Sequence, residues 1–173
     1  MKLFSRLVLF FVVGMLMHGQ LQADTKVERP SLVIGDTFPA WQLETPTSET
    51  IEYPAHTAGQ PSIILFWASW CPYCKALMPH LQNVYDSYRG RGLKYYAINI
   101  KEDGDPVATL KQRGQDPLLL LDGDEFGESV GVFATPGLFL VDAKGQVIYK
   151  RKSGASPEQI EMLLRFLLEK QYK

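Results

Sequence analysis

The residues that most constrain this chain are Cys71 and Cys74, its only two cysteines among 173 residues. Only Pro72 and Tyr73 separate them, so both can lie within one helical turn. A disulfide across so short a loop removes little entropy from the unfolded chain, because that effect grows with the length of the loop that is closed. The spacing therefore favours a reversible dithiol/disulfide pair over a structural crosslink.

The N-terminal segment has the pattern of a secretory signal. Two basic residues, Lys2 and Arg6, precede an apolar run at residues 7–17, and the segment ends with the small residue Ala23. The run is shorter than the roughly 20 apolar residues that cross a bilayer. We therefore expect a cleaved signal peptide at residues 1–23 and a periplasmic protein, with an uncleaved membrane anchor as the alternative. Disulfides persist in such an oxidising compartment.

Composition limits the class of protein and of partner. A hydrophobic content of 46% suits one domain with a substantial core. Without the signal, 16 basic residues stand against 19 acidic ones, and this mildly acidic balance gives no reason to expect nucleic acid. We predict a flexible N-terminal arm at residues 24–34 and a single domain at residues 35–173, which we expect to be monomeric.

Turn-forming residues divide this domain into short strands and helices. Residues 62–68 form a continuous apolar run, which is typical of a central strand that is covered on both faces. Two short strands before it, at 41–44 and 50–53, predict a hairpin. The other predicted strands are 93–100, 118–121, 138–141 and 147–151, and the other predicted helices are 106–113, a turn near 125–130 and a last helix that begins at Ser156. Strands that alternate with helices predict an α/β fold with a mixed sheet.

The helix after the central strand should begin at the cysteine pair. Pro72 suits the first helical position, because its fixed φ matches the helix and its missing N–H costs nothing there. Leu77 and Leu81 continue one apolar face. Cys71 then lies at the helix N-terminus, where unpaired N–H groups and the helix dipole favour an anion. We therefore expect Cys71 to be an exposed attacking thiolate and Cys74 a sheltered resolving cysteine.

Two stretches resemble the thioredoxin superfamily. Residues 66–75, together with Pro79, resemble its active-site strand and helix, and residues 134–137 resemble the loop that faces them. The resemblance implies a cis peptide bond before Pro136 and a substrate contact at Thr135. It also implies a surface that receives the extended backbone of the substrate. The members that we expect are Trp67, Trp70, Pro72, Tyr73, Thr135 and Pro136.

Three features together resemble the TlpA/ResA/DsbE group of extracytoplasmic thiol–disulfide oxidoreductases. They are export, the lead-in at residues 34–39 and the extra central helix at 106–113. The resemblance covers about residues 34–170 and implies a thioredoxin-like mixed β-sheet flanked by helices, with an N-terminal β-hairpin extension. It implies that the Cys71–Cys74 disulfide is exchanged with protein substrates and that the protein acts as a reductant. A membrane redox partner would supply its electrons, and no cofactor is expected. A disulfide donor is the alternative, because the redox potential sets the direction.

Two carboxylates that assist the resolving cysteine in many members of these families are missing. Leu65 stands where thioredoxins carry a buried Asp, six residues before the first cysteine. Leu77 stands where members devoted to cytochrome c maturation carry a Glu, three residues after the second cysteine. Glu102 and Asp103 are possible substitutes, although we expect them in an exposed loop.

Three other functions explain less of the sequence. A copper or zinc site would take its ligands from the cysteine pair and His80 on about one and a half helical turns, which gives poor tetrahedral geometry, so we expect no metal. A peroxiredoxin-type peroxidase needs a threonine in the loop before its cysteine, and residues 61–70 contain none. A non-enzymatic binding module with a vestigial cysteine pair stays open.

Overall fold

The computed structural model describes residues 31–173, so the predicted signal peptide and residues 24–30 of the predicted arm lie outside it. The strands are β1 (Trp41–Glu44), β2 (Thr50–Tyr53), β3 (Ser62–Trp67), β4 (Lys94–Asn99), β5 (Leu118–Leu120), β6 (Gly137–Val141) and β7 (Val147–Lys150). The helices are α1 (Pro72–Tyr88), α2 (Pro106–Arg113), α3 (Asp124–Ser129) and α4 (Pro157–Gln171), with short 3-10 turns at Ala55–Thr57 and Arg89–Arg91. None of these helices is both long enough and apolar enough to cross a membrane.

The main sheet is mixed, and β3 lies at its centre. Its strand order is β5-β4-β3-β6-β7, while β1 and β2 form a separate antiparallel pair. β3 is parallel to β4 and antiparallel to β6, and every residue of β3 is buried. Trp67 pairs with Asn99 at the end of β4, and Phe66 pairs with Gly137 at the start of β6. Three loops therefore meet at the same end of the sheet: those that follow β3 and β4 and the one that precedes β6.

A hydrophobic core covers each face of this sheet. On one face α1 and α4 pack through apolar residues such as Leu81 and Leu164. The other face carries the N-terminal hairpin, whose Trp41 and Tyr53 rings stack at 5.4 Å, and the preceding Phe38 contacts Phe139 of β6 at 5.4 Å. The predicted α/β fold, with its mixed sheet, flanking helices, N-terminal hairpin and extra central helix, is confirmed.

The last residues of the predicted arm make specific contacts with the domain. The Leu32 backbone N–H donates a hydrogen bond to the Val130 carbonyl at 3.4 Å. Lys150 Nζ donates to the Ser31 hydroxyl at 2.9 Å and to the Leu32 carbonyl at 2.8 Å. Gly35 then donates to the edge strand β7. The chain thus enters the domain beside the C-terminal end of β7.

Candidate active site

The two cysteines lie where the chain turns from β3 into α1. Cys71 is the N-cap of α1, and its Sγ accepts a hydrogen bond from the Cys74 backbone N–H at 3.2 Å. Pro72 follows within the first turn, where its missing N–H leaves no helical hydrogen bond unmade. The prediction that the helix begins at the pair is confirmed. The unpaired N–H groups of this first turn favour negative charge on the Cys71 sulfur.

Both cysteines are free and buried. Cys71 exposes 2% of its surface and Cys74 exposes 0%. The prediction that Cys71 is exposed is therefore wrong. The physical reason is that Cys71 lines a cleft of about 390 Å³, in which α1 contributes Tyr73 and the opposing loop contributes Phe133. Any group that reacts with Cys71 would have to enter this cleft.

Cys74 is held as a neutral thiol. Burial, which is the largest influence, raises the pKa of Cys74 to about 12, and a hydrogen bond with the Cys71 side chain acts in the same direction. Hydrogen bonds with the Ala68 backbone and the Thr135 side chain oppose this rise without cancelling it. The pair is therefore asymmetric, since one sulfur caps a helix and the other is a protonated group in the core.

The loop before β6 faces the cysteine pair. The Thr135–Pro136 peptide bond is cis, as the family resemblance implied, and Tyr53–Pro54 is a second cis bond that the sequence analysis did not predict. Thr135 hydrogen-bonds Cys74 and lines the same cleft as Cys71. Pro136 is buried and lines a neighbouring concavity instead. The structure thus brings Thr135 against Cys74, whereas Pro136 does not line the cleft at Cys71.

An exposed apolar surface surrounds the cleft. Trp70 is 51% exposed and Tyr73 is 70% exposed, and the exposed Pro72 lines the same cleft. The expected place of Trp67 on this surface is wrong, because Trp67 ends β3 and is 0% exposed in the core. Phe133, 39% exposed, lines the cleft from the opposing loop. A role of these side chains in substrate binding stays a prediction.

Glu102 holds the turn that precedes Cys71. Its carboxylate accepts hydrogen bonds from the Ser69 backbone N–H at 2.9 Å, the Ser69 hydroxyl at 2.5 Å and the Asn99 side chain at 2.6 Å. The Gly104 backbone also donates, and a Cβ at Gly104 would lie only 2.6 Å from the Ser69 hydroxyl. Burial alone would raise the pKa of Glu102, but the hydrogen bonds together lower it. The half-buried carboxylate therefore stays charged near neutral pH.

Two more hydrogen bonds hold the same turn. Trp70 Nε1 donates to the Lys101 carbonyl at 2.7 Å, and Arg113 donates to the Ser69 carbonyl at 2.9 Å. Because Arg113 ends α2, the extra central helix contacts the active-site turn directly. Asp103 is exposed, as the sequence analysis expected, whereas Glu102 is half-buried and hydrogen-bonded to the turn before Cys71.

The side chains that could carry a proton for Cys74 differ from those of the families that the sequence resembles. Leu65 and Leu77 are buried in the core, so neither place holds a carboxylate. Glu102 is hydrogen-bonded to Ser69, Asn99 and its own loop, and within residues 31–173 it makes no hydrogen bond to a cysteine. Tyr95 is a buried neighbour whose hydroxyl has no hydrogen-bond partner among the described residues. Burial, and to a smaller degree the charge of Cys74, raise its pKa.

His80 connects two helices. Its Nδ1 lies 2.8 Å from a Glu161 carboxylate oxygen, so α1 and α4 are linked at this point. Within residues 31–173 no three His, Cys, Asp or Glu side chains are grouped in a way that could hold a metal ion.

Sequence reasoning missed several residues of the site. Phe133 lies two residues before Thr135, so its position along the chain was a usable signal. Asn99 and Arg113 left no such signal, because Arg113 lies 44 residues from its partner Ser69. Such contacts depend on which strands are neighbours in the sheet.

Comparison with known proteins agrees with this geometry. The thiol:disulfide interchange protein DsbE of Pseudomonas fluorescens biotype C is 31% identical over 144 residues, which cover 82% of this chain and 78% of that protein. The protein of the same name from Escherichia coli (strain K12) is 29% identical over 176 residues, covering 96% and 93%. The crystal structure of a putative thiol:disulfide interchange protein DsbE from Chlorobium tepidum superposes with a TM-score of 0.69, at 24% identity, over 80% of this chain and 98% of that chain.

These similarities confirm the resemblance on which the sequence analysis depended. The family match extends over residues 34–163, which is more than half of the chain and includes the cysteine pair, the Glu102 network and the Thr135–Pro136 loop. The chain therefore belongs to the Redoxin family.

Proposed function

We propose that this protein is a periplasmic thiol–disulfide oxidoreductase that reduces disulfides in protein substrates. The observation that carries the proposal is the asymmetric cysteine pair: Cys71 caps α1, Cys74 is a neutral thiol with a pKa of about 12, and Thr135 contacts the pair from the opposing loop. Relatives named thiol:disulfide interchange protein support the same chemistry. One chain carries both cysteines and the opposing loop, so we propose that it acts as a monomer.

The reaction proceeds through a mixed disulfide. The Cys71 thiolate attacks one sulfur of the substrate disulfide, that S–S bond breaks, and the second substrate sulfur leaves as a thiolate that takes up a proton. Cys74 then loses its proton and attacks the Cys71 sulfur, which releases the first substrate sulfur as a thiol. The substrate gains two electrons and two protons, and the enzyme is left with a Cys71–Cys74 disulfide. A membrane dithiol donor restores the reduced pair.

The redox potential of the pair sets the direction of the reaction. A dithiol site is a strong oxidant when the protein stabilises its reduced, thiolate form. The helix N-terminus at Cys71 acts in that oxidising direction, whereas Cys74, with a pKa of about 12, adds no second thiolate at neutral pH. The reducing direction is therefore proposed from the resemblance to the TlpA/ResA/DsbE group, and the redox state of the pair in cells tests it.

The chemistry is tested by replacing each cysteine in turn. We expect Cys74→Ser to accumulate mixed disulfides with substrate proteins, because Cys71 still attacks and nothing resolves the product. We expect Cys71→Ser to trap none, although Cys74 is still present, since Cys74 is a buried thiol. The measurement is non-reducing electrophoresis of acid-quenched cells, followed by mass spectrometry.

The outcomes separate the three functions considered above. Mixed disulfides with Cys74→Ser and a mostly reduced wild-type pair in cells are expected for a reductase. A mostly oxidised wild-type pair would indicate a disulfide donor. Failure of the purified wild type to exchange with any protein disulfide would contradict oxidoreductase activity and favour a binding module.

A further inference from the structure

We infer that the active-site cleft continues into a basic groove that selects substrates with acidic side chains near the reacting cysteine. The basic groove is the surface between the loop before β6 and the end of β7, with Lys150, Arg151 and Lys152 along it. This inference rests on the proposed function and adds a substrate class to it.

The cleft and the basic groove are continuous. The cleft at Cys71 shares Phe133 and Ala134 with a neighbouring concavity of about 280 Å³. That concavity is also lined by Pro136 and Arg151. A polypeptide whose sulfur has reacted with Cys71 can therefore continue past the Thr135–Pro136 loop without leaving the surface.

The groove then opens toward the N-terminal segment of the domain. A second concavity, of about 370 Å³, shares Lys150 and Arg151 with the first and is completed by Lys152. Its apolar side is formed by Val33 and Ile34, which are 57% and 61% exposed. This part of the surface thus offers positive charge next to apolar side chains.

The positive charges of the groove are not neutralised within residues 31–173. No ion pair among these residues includes Lys150, Arg151 or Lys152, although the formal charge of the chain is −1. Lys150 Nζ donates to neutral oxygens of Ser31 and Leu32 and lies 5.7 Å from the centre of the Phe139 ring, so none of these partners carries a negative charge. A carboxylate would be a favourable partner for these cations, because hydrogen bonds between charged groups are stronger than those between neutral ones.

Arg151 links this charge to the active-site loop. Its guanidinium donates to the Pro136 carbonyl at 3.5 Å, and its buried Nε has no hydrogen-bond partner among the described residues. Pro136 adjoins Thr135, which hydrogen-bonds Cys74. Since an extended chain advances about 3.3 Å per residue, we expect the preferred acidic residue to lie a few positions from the substrate cysteine.

A polypeptide explains this surface better than a membrane does. The groove is concave and adjoins the cleft at Cys71, and Lys150 and Arg151 are half-buried. A flat bilayer would reach the exposed Lys152 but not the charges inside the groove. The occupant that fits is an extended acidic segment of the substrate itself.

The test compares peptide substrates that differ only in charge. Each peptide carries one disulfide, with Glu, Gln or Lys at the third to fifth positions from the reactive cysteine, and kcat/KM is measured for its reduction. We expect the Glu peptide to react about fivefold faster than the Gln peptide and the Lys peptide to react more slowly, with the differences shrinking at high salt. In Lys152→Glu the Glu/Gln ratio should fall to one or below.

Lys144→Glu is the matched control, since it makes the same charge change in the turn at the other end of the β6–β7 hairpin, on an exposed residue. It should keep the wild-type Glu/Gln ratio. Equal rates for all three peptides would overturn the inference while leaving the oxidoreductase function intact. If the protein reduced neither the peptides nor a protein disulfide, that result would instead contradict the proposed function.

A membrane role gives a different result. Wild type and Lys152→Glu are sedimented with phosphatidylcholine vesicles, with and without phosphatidylglycerol. Binding that needs the anionic lipid and is lost in Lys152→Glu, combined with no discrimination among the peptides, would overturn the inference in favour of a membrane-facing surface.

Discussion

Cys71 and Cys74 are only three residues apart, yet the fold gives them different surroundings. The Cys71 sulfur accepts an N–H of the first helical turn, whereas Cys74 is enclosed by the core and stays protonated. The difference arises because the N-cap lies outside the helix and the third helical position already faces the sheet. One helix terminus therefore holds one sulfur at its N-cap and the other inside the core.

The high pKa of Cys74 predicts an alkaline loss of stability. The unfolded chain releases this proton near the ordinary value of about 8.5, while the folded protein holds it up to about 12. The unfolded state therefore binds fewer protons in that window, and the free energy of unfolding falls as pH rises. We expect Cys71→Ser to lose about 1 kcal/mol per pH unit more than Cys71→Ser/Cys74→Ala above pH ~9. The measurement is urea unfolding at several pH values.

The double variant is also the control for this comparison, since both proteins share every other titrating group, including the buried tyrosines. Parallel pH profiles for the two proteins would show that Cys74 titrates normally, and would remove the physical basis for its role as the protected thiol.

At the scale of the elements, the turn before α1 is held from two neighbouring segments. Glu102 follows β4 and accepts from Ser69, and Arg113 of α2 donates to the Ser69 carbonyl. The extra central helix is thus more than an addition to the sheet, because its last residue binds the segment that carries Cys71. The mobility of that segment should depend on both contacts.

Replacing Glu102 should loosen the active-site turn. Loss of its charged hydrogen bonds is expected to cost about 2 kcal/mol of unfolding free energy in Glu102→Ala. The pKa of Glu102 is lowered in the fold, so its contribution is present above the ordinary pKa and is lost as pH falls below it. Wild type should therefore lose more stability than Glu102→Ala on acidification. Urea unfolding measures both effects, and hydrogen exchange at Ser69 and Trp70 reports the loosening.

Asp103→Ala is the matched control, because it removes the neighbouring carboxylate, which is exposed. It should change the unfolding free energy by less than about 0.5 kcal/mol. Equal losses in the two variants would mean that the Glu102 network does not hold the turn.

Local patterns predicted the elements well and the site only in part. The bounds of β1, β2 and α2 agree with the predicted 41–44, 50–53 and 106–113, because proline, glycine and capping residues mark those ends in the sequence itself. The last helix has its N-cap at the predicted Ser156, which forms a capping box with Gln159. The burial of Cys71 and Trp67 could not be predicted in this way, since it depends on which distant loops pack over them.

At the scale of the whole molecule, the sheet separates two hydrophobic cores, and only one of them contains the cysteine pair. The face under α1 and α4 includes both cysteines, whereas the face under the N-terminal hairpin is a cluster of aromatic rings that contains neither. Stability can therefore change on the hairpin face while the geometry of the pair is kept.

Phe38 tests this separation. It is 3% exposed and contacts the rings of Tyr53, Phe126 and Phe139. Phe38→Ala should lower the free energy of unfolding by about 3–5 kcal/mol, because it leaves a cavity among these rings. At temperatures where the variant stays folded, the rate of disulfide reduction should be within twofold of wild type. Urea unfolding and a reductase assay give the two quantities.

Phe166→Ala is the control, since Phe166 lies on α4 and is 57% exposed. It should change the free energy of unfolding by no more than about 0.5 kcal/mol. A large loss of reductase activity in folded Phe38→Ala would contradict the independence of the two faces.

The recessed position of Cys71 also restricts when the protein can act. With 2% of its surface exposed, Cys71 meets only a sulfur that is carried into the cleft on a pliable segment. A disulfide within a rigid folded domain would reach this depth less readily than one on a flexible segment. If the proposed function is correct, the protein should therefore reduce disulfides of unfolded chains faster than the same disulfides in folded proteins.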